Sequence, residues 1–337
     1  MANPDAIKTV ENFLLAFTSI LYEALPYIIL GAVIAGILEE MLPQRLITRL
    51  LPRSRTLSIF IGALLGLIFP MCECGIIPVM RRLLRKKLPL SCCVAYVLAG
   101  PIINGVVLLS TYKAFSGSKG GLDVSAGSSY QMGSWWMTGL RAGMGFFVAV
   151  VTAHIVEWQY RKHGTRLLKP LAVPSELPTA EEKEDGPAPK RSAWQRLSNI
   201  SDAALHDFID ITVFLIMGAL LAASTDLLID KDKVAELSSK HAVLSIALMM
   251  LLAVVLSLCS EADAFVAASY TTLRPAAKLS FLVLGPMLDI KLYMMYTRVF
   301  RPRLMYTIFV SVIVQVFILS YVTHVLWEHY APLWMAP

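Results

Sequence analysis

Residues 72–112 read CECGIIPVMRRLLRKKLPLSCCVAYVLAGPIINGVVLLSTY, and residues 259–296 read CSEADAFVAASYTTLRPAAKLSFLVLGPMLDIKLYMMY. The two stretches follow one order. Each opens on a cysteine and acid cluster, Cys72, Glu73 and Cys74 in the first and Cys259, Glu261 and Asp263 in the second. Each continues into an apolar helix led by proline, Pro89 or Pro275, which a Gly-Pro pair is expected to break, at Gly100-Pro101 or Gly285-Pro286. Each then carries a polar residue just past the break, Asn104 or Asp289. Polar groups in hydrocarbon are costly and tend to be functional. Interrupted apolar segments at corresponding places in two halves point to a transporter site. The duplication therefore predicts a solute permease.

The rest of the chain suits that reading. It has 337 residues, of which 56% are hydrophobic, and a mean hydropathy of +0.63. Apolar stretches near 13–38, 88–111, 134–157, 208–229, 241–258, 276–296 and 304–327, with a shorter one at 57–70, approach or exceed the roughly 20 residues that cross a bilayer. An all-α polytopic membrane protein is expected, with the lipid bilayer as its surroundings. In such a chain the net charge of +6 marks cytoplasmic loops, and no nucleic-acid partner is expected. Residues 1–12 lack the basic region of a secretory leader, so the first span is expected to stay as an anchor.

Residues 160–200 carry several prolines and the run Glu181-Glu182-Lys183-Glu184-Asp185, a composition typical of a flexible linker. It separates a first transmembrane repeat (1–159) from a second (201–337), with Trp194 to Phe208 able to form an amphipathic surface helix. Arginines 45, 49, 53 and 55 follow the first span, and Arg81, Arg82, Arg85, Lys86 and Lys87 follow the first cysteine cluster. Both groups belong on the cytoplasmic side by the positive-inside rule. They share that side if 57–87 enters the membrane and returns, with its tip at Cys72–Pro78. A second hairpin, 241–274, then enters from outside. The expected fold is two inverted repeats, each of three transmembrane helices plus a re-entrant or broken helical hairpin; eight full spans are the alternative.

The five cysteines lie in or beside the duplicated segments, which argues against a disulfide framework. Cys92 and Cys93, inside an apolar run, read as small hydrophobes. Cys72, Cys74 and Cys259 flank acids at chain breaks and are candidate ligands for one soft ion, since thiolates suit soft metals and metalloids. Glu73, Glu261, Asp263 and Asp289 are the acids expected in the core, and buried acids are natural proton carriers. Asp289 has Lys291 and Lys278 nearby in sequence; the other three have no cation close by, and Arg141, near the middle of its span, is a candidate partner for one of them. With Asn104, these residues make up the expected substrate-binding set.

The runs Pro70-Met-Cys-Glu-Cys-Gly-Ile-Ile-Pro78, Leu98-Ala-Gly-Pro-Ile-Ile-Asn104 and Cys259-Ser-Glu-Ala-Asp-Ala-Phe265 together resemble the YraQ-like and ArsP-like predicted-permease family. The resemblance covers nearly all of the chain outside the linker. It implies a multi-pass permease of the bacterial inner membrane and, for characterised relatives, export of trivalent arsenic species with the motif cysteines as ligands, here Cys72 and Cys74. The expected function is thus efflux of a small soft solute such as a trivalent arsenical, coupled to protons or to the membrane potential. The alternatives are a permease for a sulfur oxyanion, sulfide or a divalent cation, and an intramembrane enzyme using Asp263 with Asp289, or Cys72 with Cys74. The partners expected are a small-molecule or metalloid substrate and the bilayer, with a homodimer left open; no cofactor and no enzymatic activity are expected.

Overall fold

The computed structural model describes residues 4–41, 54–68, 71–85, 88–116, 132–164, 193–226, 242–270 and 273–334. Most of the expected linker (165–192), most of the glycine- and serine-rich loop (117–131), the loop 230–240, Arg45, Arg49, Arg53, Lys86 and Lys87 lie outside the described residues. The fold is all-α. The first half supplies α1 (Pro4–Met41), α2 (Arg55–Ile68), α3 (Glu73–Arg85), α4 (Leu90–Ile103), α5 (Gly105–Ser116) and α6 (Ser134–His163). The second supplies α7 (Ala193–Asp226), α8 (Ala242–Leu256), α9 (Asp263–Ser269), α10 (Pro275–Leu284), α11 (Ile290–Val299) and α12 (Pro302–Trp334). The expected surface helix from Trp194 is not separate: α7 runs unbroken from Ala193 through the following apolar stretch.

Helix length and apolarity sort these elements. Phe13–Ile34, the continuous apolar stretch Leu90–Ser116, Ser134–His163 and Pro302–His329 are each long and apolar enough to cross a membrane. By contrast, α8 has 15 residues, about 22 Å of helix at 1.5 Å per residue, short of the roughly 30 Å hydrocarbon core. The two proline-led helices form the centre. Every residue of α4 and of α10 is buried. Around them, α1, α7 and α12 expose large apolar side chains, among them Leu14, Tyr22, Leu205, Val213, Ile318 and Leu326. An apolar outer surface of that extent belongs against lipid. Trp135 and Trp158, near opposite ends of α6, are also exposed, as interfacial aromatics are.

The packing follows the same order in each half. In the first, α4 rests on α2, α3 and α6; in the second, α10 rests on α8, α9 and α12. The halves meet where α1 packs on α7 and α6 on α12, and where each short tip helix reaches across, α3 to α11 and α9 to α5. A polar link joins α6 and α12, with Gln315 Nε2 donating to Thr152 Oγ1 at 2.9 Å. Elsewhere the helices close in on glycine. A Cβ on Gly31 would overlap the Gly75 backbone, one on Gly66 would overlap Gly100, and one on Gly218 would stand 2.6 Å from the Lys291 Cα. Small residues let membrane helices approach backbone to backbone.

One expectation is corrected. The helix does not break at Gly100-Pro101: α4 carries Pro101 inside it and ends at Ile103, and the break falls at Asn104, which is extended (φ −61°, ψ 132°). A proline removes one backbone donor and crowds one turn, a local cost that a helix enclosed on all sides can bear. In the second half the break does come at the Gly-Pro pair, since α10 stops at Leu284. Arg81 and Arg82, placed on the cytoplasmic side by their charge, are buried within α3, at 1% and 6% exposure, and both have interaction partners.

Gly66→Ala is expected to push α2 off α4 and cost roughly 1–3 kcal/mol, the usual scale of overpacking. Gly139→Ala, where a Cβ meets nothing within 4 Å, is expected to be neutral or to stabilise by up to about 1 kcal/mol through helix propensity. Thermal unfolding of both variants in detergent checks the contrast.

Candidate functional site

The two cysteine clusters are built alike at the backbone. The Cys72 carbonyl accepts the Ile76 N–H at 3.2 Å, and the Cys259 carbonyl accepts the Asp263 N–H at 3.0 Å. Each cysteine thus opens a tip helix, α3 or α9, and each helix begins on an acid, Glu73 or Asp263. The positive end of a helix dipole favours a carboxylate there. Ahead of Cys259 the chain is strained: Ser257 is buried and has φ 47°, a region that residues other than glycine enter rarely and that clusters at functional sites. This turn lets α8 stop at Leu256 and aims the Ser257 carbonyl inward.

Both acids meet a cation from the opposite half. Lys291, on α11, lies 2.9 Å from Glu73 Oε1 and 3.5 Å from Asp289 Oδ2, and its ammonium donates to the Ser257 carbonyl at 2.9 Å. Arg141, on α6, donates through Nη2 to both oxygens of Asp263 at 3.0 Å and to the Ser260 carbonyl at 2.9 Å. Its Nη1 donates to Thr111 Oγ1 on α5 at 2.6 Å. Arg141, Lys291, Glu73, Asp263 and Asp289 are each 2% exposed or less. Isolated charges at such depth are untenable, so paired charges are what burial requires.

Between the two tips, Cys72, Glu73 and Cys259 bring two thiol sulfurs and a carboxylate oxygen within 4.8 Å of one another. Cys74, the third expected sulfur, lies beside Cys72 but outside this close group, which takes in Glu73. Cys92 and Cys93 are buried in α4, consistent with packing.

The other expected site residues divide. Asn104 and Asp289 cap the second segments of the two broken helices. Asn104 Oδ1 accepts the Val106 N–H at 2.9 Å, and Asp289 Oδ1 accepts the Leu292 N–H at 2.5 Å. Each such bond satisfies an orphan donor of a helix start. Glu261 is only partly buried and has interaction partners. Thr111 and the carbonyls of Ser257 and Ser260 join the charge groups without any signal in the sequence. Lys291 and Arg141 did carry one: a cation inside an apolar stretch is rare enough to mark function.

Asp263→Asn is expected to leave Arg141 buried without its counter-charge and to cost about 3–5 kcal/mol. The double replacement Arg141→Met with Asp263→Leu is expected to recover most of that loss, because an apolar pair needs no compensation. Thermal unfolding of the single and double variants measures the difference.

No solved structure matches this chain. Among known proteins it is similar to UPF0718 protein YcgR of Bacillus subtilis (strain 168), 35% identical over 299 residues that cover 88% of this chain and 92% of that protein. It is also similar to a putative two-component membrane permease complex subunit of Streptococcus mutans, 32% identical over 297 residues, 88% of this chain and 89% of that one. The model of the predicted-permease family ArsP_1 matches residues 9–325. With its apolar spanning helices and a match over almost its whole length, the chain is a multi-pass membrane protein and belongs to the predicted-permease family.

Proposed function

We propose that the chain is an inner-membrane permease that exports a small soft solute, a trivalent organoarsenical foremost, through a site formed by Cys72, Glu73 and Cys259 between two inverted repeats. The observation that carries the reading is the meeting of two thiols from separate halves with one carboxylate inside 4.8 Å. Two sulfurs suit a trivalent organoarsenic centre. Its two hydroxyl groups leave as water with the two thiol protons, two arsenic–sulfur bonds form, and the third valence keeps its carbon substituent. Softness of ligand and solute match.

The duplicated order of elements supports inverted repeats. Each tip helix packs against the opposite half, and each tip acid pairs with a cation from that half. In such transporters a central site is exposed to one side and then the other as one part rocks against its partner. Glu73 and Asp289 on Lys291, and Asp263 on Arg141, are the groups through which the proton gradient or the membrane potential would act. Nothing in the arrangement favours an enzyme. Asp263 and Asp289 belong to different charge groups and each is engaged by its own cation, unlike a dyad that shares one proton.

The test is uptake of phenylarsenous acid by reconstituted vesicles under an imposed pH gradient or potential. Cys72→Ser and Cys259→Ser are expected to lower the flux by about tenfold or more, an effect the size of one lost bond to the transported species. Cys92→Ser is expected to leave it unchanged. Undiminished flux in both Cys72→Ser and Cys259→Ser would remove the site from this cluster.

A further inference from the structure

We propose that the same group also takes a soft divalent metal ion as solute, and that Lys291 is its built-in competitor, holding Glu73 until the ion displaces it toward Asp289. The proposal rests on the reading that Cys72, Glu73 and Cys259 hold the solute. Glu73 is 1% exposed, yet neither of its carboxylate oxygens receives a directed hydrogen bond. What it has is the ammonium of Lys291 at 2.9 Å. A buried carboxylate with unfilled lone pairs beside two thiols is a donor set in want of a cation. The tethered ammonium stands where that cation would go.

Lys291 has somewhere else to be. Asp289 Oδ2 also lacks a hydrogen bond and lies 3.5 Å from the ammonium, while the Ser257 carbonyl holds it at 2.9 Å. Released from Glu73, the ammonium keeps a carboxylate and a carbonyl without leaving the interior. Charge is conserved in the exchange. Glu73, Asp289 and Lys291 together carry one negative charge. As the ion binds the two sulfurs, the two thiol protons leave, so the two positive charges of the ion replace those of the protons and the sum stays the same. The donor set of two sulfurs and one oxygen favours a soft divalent ion such as cadmium over a hard one. A neutral arsenical makes no demand on Lys291, because it does not compete with an ammonium for a carboxylate.

Equilibrium binding of cadmium and of phenylarsenous acid to the full-length protein in detergent tests the exchange. Lys291→Gln removes the competitor and is expected to tighten cadmium binding about tenfold or more, since like charges at contact repel strongly at low dielectric. The arsenical should shift by less than about threefold, because a neutral ligand lies outside that repulsion. Lys291→Arg is expected to weaken cadmium binding by about threefold or more, because a guanidinium grips a carboxylate with two donors. If Lys291→Gln does not fold, Lys291→Arg decides alone. Unchanged cadmium affinity in the folded lysine variants overturns the proposal, as does equal tightening of both probes by Lys291→Gln, which would be a general loosening of the site. If the lysine variants do nothing while Cys72→Ser with Cys259→Ser loses both probes, the exchange fails and the thiol site stands. If that double cysteine variant binds both probes as the wild type does, the site itself is elsewhere and the exchange falls with it.

Discussion

A charge removed from water must find its opposite, and in this chain the opposite comes from the other half of the sequence. Glu73 and Asp263 begin the two tip helices deep in the apolar interior, and neither has a cation near it along the chain. Lys291 and Arg141 supply what is missing. The demand for compensation fixes where each tip can sit, because an acid a few ångströms out of place would be buried alone. The glycine contacts, the helix interruptions and the seating of the cysteines are all consistent with that requirement. The glycines bring backbones close together, and the turns ahead of the second tip supply the carbonyls of Ser257 and Ser260 to the two cations.

The two tips answer the requirement with different chemistry. Arg141 is the more heavily engaged of the two cations. Its two terminal nitrogens span the Asp263 carboxylate, a backbone carbonyl and a threonine hydroxyl, while its Nε has no hydrogen-bond partner among the described residues. The Lys291 group is looser, with two carboxylates for one ammonium and oxygens left without directed donors. The thiols of Cys72 and Cys259 lie on the side of the looser group, where Glu73 belongs to both. A rigid clamp and an adaptable one, set on related frameworks, give the two tips different freedom.

Much of this architecture was legible in the residues. The apolar stretches located the spanning helices, and the repeated order of cysteine, acid, Gly-Pro and polar cap foretold which segments would converge. Cys72 and Cys259, 187 positions apart, came together as their matching contexts suggested. What was not legible depends on distance or on enclosure. The Arg141–Asp263 pair joins residues 122 positions apart, and no local pattern chooses among the buried acids for a partner. Pro101 reads as a helix breaker because its local cost is visible, whereas the packing around α4 that holds the helix together is not. The burial of Arg81 and Arg82 within α3 likewise depends on helices that enclose it from elsewhere in the chain. Cys74 and Glu261 look equivalent to their neighbours in a string of letters, and only the distances in the folded chain set the close group of Cys72, Glu73 and Cys259 apart from them.

Gly218 gives the adaptable clamp its mechanical character. By admitting the backbone of α11 where any side chain would collide with the Lys291 Cα, it presses the base of that residue against α7 and denies it lateral play. The shoulder is locked and the arm is left loose. Whatever Lys291 does is therefore done by rotation about its four methylene carbons, a movement that needs no helix to shift. A fixed base that carries a movable limb divides two kinds of change at one residue: the charged tip can change partners by side-chain torsions alone, while any shift of its base must move a helix with it.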